Sequence, residues 1–164
     1  MKILGVDVGL RTCGYALCKV RNLEIKLIGE GEIKPNPKNS LPQKLDTIFE
    51  GLESQIKAHN STAIVVEKLY SHYRHPTTLG VLAQVRGIVA LLAHKMGIGF
   101  FEYSSTRARK SFLGIGSASS DQVKRMAENV IGRKFKSIHT ADAFSLVVAF
   151  SHAQKLARII GKNR

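Results

Sequence analysis

Three separate stretches of the chain deliver a carboxylate or an imidazole at the end of an apolar run. Lys2 to Leu10 reads KILGVDVGL, with Asp7 set between Val6 and Val8 and followed by Gly9. Thr62 to Val66, TAIVV, runs straight into Glu67. His139-Thr140-Ala141-Asp142 opens an apolar helical stretch, and a spacing of three places His139 and Asp142 on one helix face. Strand propensity disfavours Asp, and an ionised carboxylate is costly to bury unless it is paired or bound to a cation. Asp7 taken alone has a second reading, a strand-end acid capping a turn at Gly9. Acids gathered from different strands and a helix repel one another unless divalent cations neutralise them, so the three stretches together point to a Mg²⁺ or Mn²⁺ site.

The elements that must position these groups follow from periodicity. Cys13 to Val20 and Leu23 to Ile33 are extended runs joined by a hairpin turn at Arg21-Asn22, which makes the first three strands an antiparallel meander. Lys34 to Pro42, KPNPKNSLP, is a loop. Leu41, Leu45, Ile48, Phe49, Leu52 and Ile56 recur at helical spacing and predict a helix over Pro42 to Ala58 with one apolar stripe. The strand Thr62 to Glu67 then allows a parallel crossover. Lys68 to Thr78, KLYSHYRHPTT, is polar, aromatic and basic and does not read as core.

Leu79 to Met96 is a second helix, apolar enough to be buried on more than one side, and its surplus apolar face suggests a second copy of the chain as partner. Gly97 stops it, and Ile98 to Tyr103 supplies a fifth strand. Ser104 to Lys110, SSTRARK, either flanks the catalytic edge with Arg107, Arg109 and Lys110 or is an ordinary solvated turn. In LGIGSASS the GIG lacks a phosphate-binding pattern and suits a turn, while Ser119 and Gln122 have capping-box spacing for a helix carrying Val123, Met126 and Val130. A last helix runs from about Thr140 to Ile160.

A length of 164 residues fits a single domain over 1–164. Lys and Arg number 25 against 12 Asp and Glu, a formal charge of +13, which points to a polyanion such as nucleic acid. An acidic membrane is the rival partner, but the basic residues are not gathered on an amphipathic helix, and no apolar stretch is read as approaching the ~20 residues that span a bilayer. A cytoplasmic location is expected. Cys13 and Cys18 lie five apart on one strand, on opposite faces, and cannot bridge each other.

GVDVGLRTCGYAL at the start, VVEKLY around Glu67, LAQVRG at Leu82 to Gly87, FEY at Phe101 to Tyr103, GIGSAS near Gly114 and TADAFSLVVA at the end resemble, in order and spacing, the RuvC family of bacterial Holliday-junction resolvases. The resemblance implies an RNase H-like α/β fold, a mixed five-stranded sheet with three antiparallel strands and then two parallel ones, flanked by helices. It also implies a homodimeric endonuclease that makes paired symmetric nicks in a four-way DNA junction with Mg²⁺ or Mn²⁺, two ions per site, in concert with the RuvA and RuvB branch-migration complex. Carried onto this chain, the catalytic and metal-binding quartet is Asp7, Glu67, His139 and Asp142. Tyr70 falls where the family has an aromatic thought to stack on junction bases, and Arg109 falls at a family basic position. DNA contacts are therefore expected from Tyr70, Arg74, Arg107, Arg109, Lys110 and Lys124. The chain departs from the family pattern at Val8, where DPG is usual, at His139, where some members have Asp, and at Ser120, which is often Lys; Lys124, one helical turn on, is the candidate substitute.

Within that reading Asp7 bridges two metals, Glu67 holds one and Asp142 the other, and His139 either ligates or orients water. A ligating imidazole must be neutral, so nicking is expected to fall below about pH 6.5, and a nitrogen ligand favours Mn²⁺ over Mg²⁺. The rival readings are a related RNase H-like nuclease acting on other DNA or on RNA, and a non-catalytic basic DNA-binding protein whose carboxylates are structural. An actin-like ATPase, suggested by Asp7, Gly9 and Gly14, would need a second lobe for which the chain has no room.

Overall fold

A computed structural model describes residues 1–21, 24–69 and 76–162. Five strands form one mixed sheet, β1 (Lys2–Asp7), β2 (Cys13–Arg21), β3 (Glu24–Ile33), β4 (Ala63–Glu67) and β5 (Gly99–Tyr103), in the spatial order β3-β2-β1-β4-β5. β1 to β3 pair antiparallel, whereas β4 runs parallel to both β1 and β5. This is the RNase H-like arrangement. The parallel register pairs Val6 with Val66, so the next residues, Asp7 and Glu67, lie side by side at the carboxyl ends of β1 and β4.

Helices cover both faces, which is why β1 and β4 are nearly continuous apolar runs. α1 (Leu41–His59) and α2 (Pro76–Lys95) pack on one face, where Leu4, Val6, Leu17 and Ile64 meet Ile48, Leu52, Ile56, Val85, Val89 and Leu92. α3 (Ser105–Leu113), α4 (Ser120–Ile131) and α5 (Ile138–Lys162) take the other, where Ile3, Ala16, Cys18 and Val65 meet Phe144, Val147 and Phe150. Cys13 and Cys18 belong to these two opposite cores and are free thiols. Burial pushes both up, Cys13 to about 12, so neither is a reactive thiolate.

Several expectations need correction. Arg21 is not a turn residue, since it pairs with Glu24 across β2 and β3; the other half of the expected turn, Asn22, lies outside the described residues. α2 starts at Pro76, three residues before Leu79. It is buried along one side only, at Val85, Val89, Leu92 and Ala93, while Leu91 is 53% exposed, because the sheet offers a single surface. By length and composition α2 is also apolar enough to cross a membrane, contrary to the sequence reading. Its Arg86 instead pairs with Glu102 of β5 at 2.5 Å, tying the helix to the sheet edge.

The basic segment after Tyr103 is not a solvated turn but α3, opened by Ser104, whose hydroxyl accepts the Arg107 amide hydrogen, and closed by Gly114 in the left-handed region. Helical periodicity was hidden there because Ala108 is its one buried residue. The Ser119–Gln122 capping box opens α4 as expected, yet that helix buries Val123 and Ala127, leaving Met126 and Val130 exposed.

Candidate active site

Asp7 and Glu67 are held by strand pairing, and α5 brings in the other two members of the quartet. Two glycines make that approach possible. A Cβ on Gly5 of β1 would lie 2.8 Å from Val147 Cγ2 and would collide with the Ala143 carbonyl; on Gly14 of β2, opposite Asp7, it would lie 2.6 Å from His139 Cβ and 2.7 Å from its carbonyl carbon. With hydrogen in those places the first two turns of α5 rest directly on the sheet. The α4–α5 connection is anchored as well, since the buried Glu30 carboxylate accepts from Arg133 Nη1 at 2.8 Å and from the Lys136 amide at 3.2 Å.

The result is a narrow cavity of about 30 Å³ lined by Asp7, Glu67, Asp142, Arg109, Ser105 and Ser145. It has room for a water molecule or an ion and little more. Burial is the main force raising the Glu67 carboxyl above its usual range, with Asp7 and Asp142 adding repulsion and the nearby Ser105 hydroxyl and Arg109 acting the other way. Asp142 is raised too, by burial first and then by Asp7, against the Ser120 hydroxyl, Arg109 and His139. Two carboxyls raised by burial and by the charge of Asp7 are a local excess of negative charge that a cation would relieve.

His139 stands on the rim. Its Nδ1 is 2.7 Å from Asp7 Oδ2, and this bond, more than the burial that opposes it, raises the imidazole above its ordinary 6.5, with Asp7, Glu32 and Asp142 assisting. The ring also lines a separate groove of about 660 Å³ formed by Gly9 to Thr12 and by Thr77, Thr78, Val81 and Leu82 of α2. The hydrogen-bonded pair Asp7–His139 thus joins the small acidic cavity, lined by Asp7, to the larger groove, lined by His139.

Arg109 reaches inward. Its Nη1 donates to the Ala118 carbonyl at 2.8 Å and its Nη2 to Ser120 Oγ at 3.1 Å, while Ser120 Oγ donates to Asp142 Oδ2 at 2.6 Å. Nη2 is 3.8 Å from Asp142 Oδ1. Arg107 and Lys110 are exposed on α3, with the Arg107 guanidinium 5.0 Å from the Tyr103 ring centroid. Lys124 lines a different, open groove of about 540 Å³ with Asp121, Arg125, Glu128 and Lys134, away from the acidic cavity. Tyr70 and Arg74 lie outside the described residues. Sequence reasoning treated Ser120 as a lost charge and did not weigh Ser105; nothing local marks either, because both act through partners distant in the chain.

Among the described residues no group of three or more His, Cys, Asp and Glu is already drawn together tightly enough to hold an ion. The donor set nevertheless fits a hard divalent cation in chemistry and charge: three partly buried carboxylates with oxygen ligands at one cavity, and an imidazole at its edge.

Carboxylates at the ends of β1, β4 and α5 of an RNase H-like sheet define the nuclease-type class of this fold. The sequence model described as "Crossover junction endodeoxyribonuclease RuvC" matches residues 3–152, and the chain belongs to that family. A relative of that name from a Nitratiruptor species is 33% identical over 158 residues, covering 95% of this chain and 98% of its own. Among solved structures, Thermus thermophilus RuvC superposes with a TM-score of 0.82 at 20% identity, covering 94% of this chain and 96% of its own. A second structure, of T. thermophilus RuvC in complex with Holliday junction substrate, also gives 0.82, at 18% identity and the same coverage.

Proposed function

We propose that this protein is a structure-specific endonuclease that resolves four-way DNA junctions by paired symmetric nicks, through metal-dependent phosphodiester hydrolysis. The observation that carries the reading is the convergence of Asp7, Glu67 and Asp142 on one cavity in a chain of net charge +13. Membership of the RuvC family and the junction-bound T. thermophilus relative support the substrate.

Asp7, Glu67 and Asp142 would hold Mg²⁺ or Mn²⁺, two ions per site once the cavity widens beyond the single ion it now admits, with His139 as ligand or water-orienting base. Such ions supply an activated water and relieve charge on the phosphorus and leaving oxygen. The chain's own part is positional. β1 and β4 fix Asp7 and Glu67, α5 sets Asp142 and His139 against them, and the imidazole hydrogen-bonded to Asp7 holds or takes a proton at the rim facing the groove. The basic residues Arg107, Lys110, Lys124 and Arg74 would retain the branched DNA by phosphate contact, and Tyr70 by stacking.

Paired nicks need two active sites. α2 presents Leu91 and the uncovered Gly80 and Gly87 outward, and this face suits a second copy of the chain. The RuvA and RuvB branch-migration complex, in the cytoplasm, completes the proposed setting. A synthetic four-way junction and a linear duplex of the same sequence, incubated with Mg²⁺, Mn²⁺ or chelator, test the reading. Symmetric nicks in the junction alone, abolished by chelator, are expected; junction binding without cleavage under every condition would replace it with a non-catalytic DNA-binding protein.

A further inference from the structure

The side chain linking Arg109 to Asp142 is a hydroxyl. Ser120 sits in the first turn of α4, where its neighbour Ser119 already caps the helix, so the Ser120 side chain is free to face α5. Its two bonds have a forced direction. A guanidinium can only donate and an ionised carboxylate can only accept, so Oγ accepts from Arg109 Nη2 at 3.1 Å and donates to Asp142 Oδ2 at 2.6 Å. Arg109 is fixed from behind by its 2.8 Å bond to the Ala118 carbonyl, two residues before Ser120. The carboxylate therefore has one oxygen committed to the protein, while Oδ1 is left 3.8 Å from the guanidinium, beyond hydrogen-bond range.

We propose that Ser120 is a positioning residue for the metal-binding carboxylate Asp142: it fixes the rotation of that group and spaces it from Arg109, so that Oδ1 stays available to a cation. Without the hydroxyl, Oδ2 and Nη2 both lose a partner in a half-buried setting. The shortest way to satisfy both is for the guanidinium to close on the carboxylate as a direct, charge-assisted pair. That pair competes with a divalent ion for the same oxygens. Lys124, one helical turn on, lines the open groove of about 540 Å³ and is not among the groups that act on Asp142, which are Ser120, Asp7, Arg109 and His139.

The inference rests on the nuclease reading given above, and the test separates the two. Mn²⁺ affinity is measured by titration calorimetry on the DNA-free protein, and kcat and KM on a four-way junction, for wild type, Ser120→Ala and Ser120→Thr. Removing an outer partner of a metal ligand costs on the order of 10- to 100-fold, so Ser120→Ala should lose that much in Mn²⁺ affinity and in kcat, with KM for the junction within about threefold of wild type. Ser120→Thr, which keeps the hydroxyl, should recover most of both. Ser120→Ala with Mn²⁺ affinity and kcat within about twofold of an active wild type overturns the role of Ser120 alone, as does Ser120→Thr failing as badly as alanine. A wild type that neither binds Mn²⁺ nor cuts overturns the nuclease reading, and this role of Ser120 with it.

Discussion

Gly14→Ala adds one methyl group at the point where β2 meets the start of α5. The new Cβ would stand 2.6 Å from His139 Cβ, 2.7 Å from its carbonyl carbon and 2.8 Å from its carbonyl oxygen, about 0.6 to 0.8 Å short of the 3.4 Å at which ordinary contact begins. Two of the three are backbone atoms, so no change of rotamer relieves the clash and the first turn of α5 must lift from the sheet. Overpacking of this kind costs about 1 to 3 kcal/mol. The chemistry should suffer more than the fold, because that turn carries His139 and Asp142, and a displacement near 1 Å at a reacting centre can cost on the order of 100-fold. Urea melts and single-turnover nicking of a four-way junction, with junction binding by gel shift alongside, measure the two effects separately. Gly29→Ala is the control, since its Cβ would meet Leu17 at an ordinary 3.8 Å; it should be neutral or stabilising by up to ~1 kcal/mol. If Gly14→Ala nicks within about threefold of wild type, the seating of α5 on glycine is not what sets the site.

His139 should titrate above its ordinary 6.5 in metal-free protein because of its bond to Asp7. The protonated pair stabilises the fold fully below about pH 6.5, and that contribution is lost as pH rises through the raised value. A divalent cation held at Asp7 would compete with that ring proton, so Mn²⁺ binding to the metal-free protein should weaken as pH falls through the raised value. NMR titration of the ring in wild type and Asp7→Asn checks the raised value, and a wild-type midpoint at or below 6.5 contradicts it. Leu91→Glu, on the open face of α2, should weaken self-association without unfolding the chain, as read by analytical ultracentrifugation; an unchanged dimer places the interface elsewhere. Junction affinity should fall steeply with salt, because neutralising phosphates releases counterions, and a flat response would point away from a polyanion.

The acids were legible because they break local rules: Asp7 and Glu67 interrupt or end apolar strands where burial alone would not place them. α1 was legible from Leu45, Ile48, Leu52 and Ile56, whose stripe is the face it buries or half-buries. α3 was not, since a helix with one buried residue shows no apolar period and is marked mainly by its Ser104 cap and Gly114 stop. α2 was over-read because composition reports how apolar a helix is, not how much of it one sheet can cover. Ser120 and the pair Gly5 and Gly14 were invisible as site-builders. Their meaning lies in contacts with Asp142, Ala143 and His139, which the fold brings together from far along the chain.

The most direct test of the central claim compares Asp7→Asn, Glu67→Gln and Asp142→Asn with wild type on one synthetic four-way junction, scoring binding and nicking in Mg²⁺ and in Mn²⁺. Each change removes one anion from a chain of net charge +13, so junction affinity should hold or rise slightly. Nicking should be abolished by all three to a similar degree, because each takes an oxygen ligand from the same cavity. Wild-type nicking by any one of the three variants would remove that residue from the site and contradict a shared carboxylate centre.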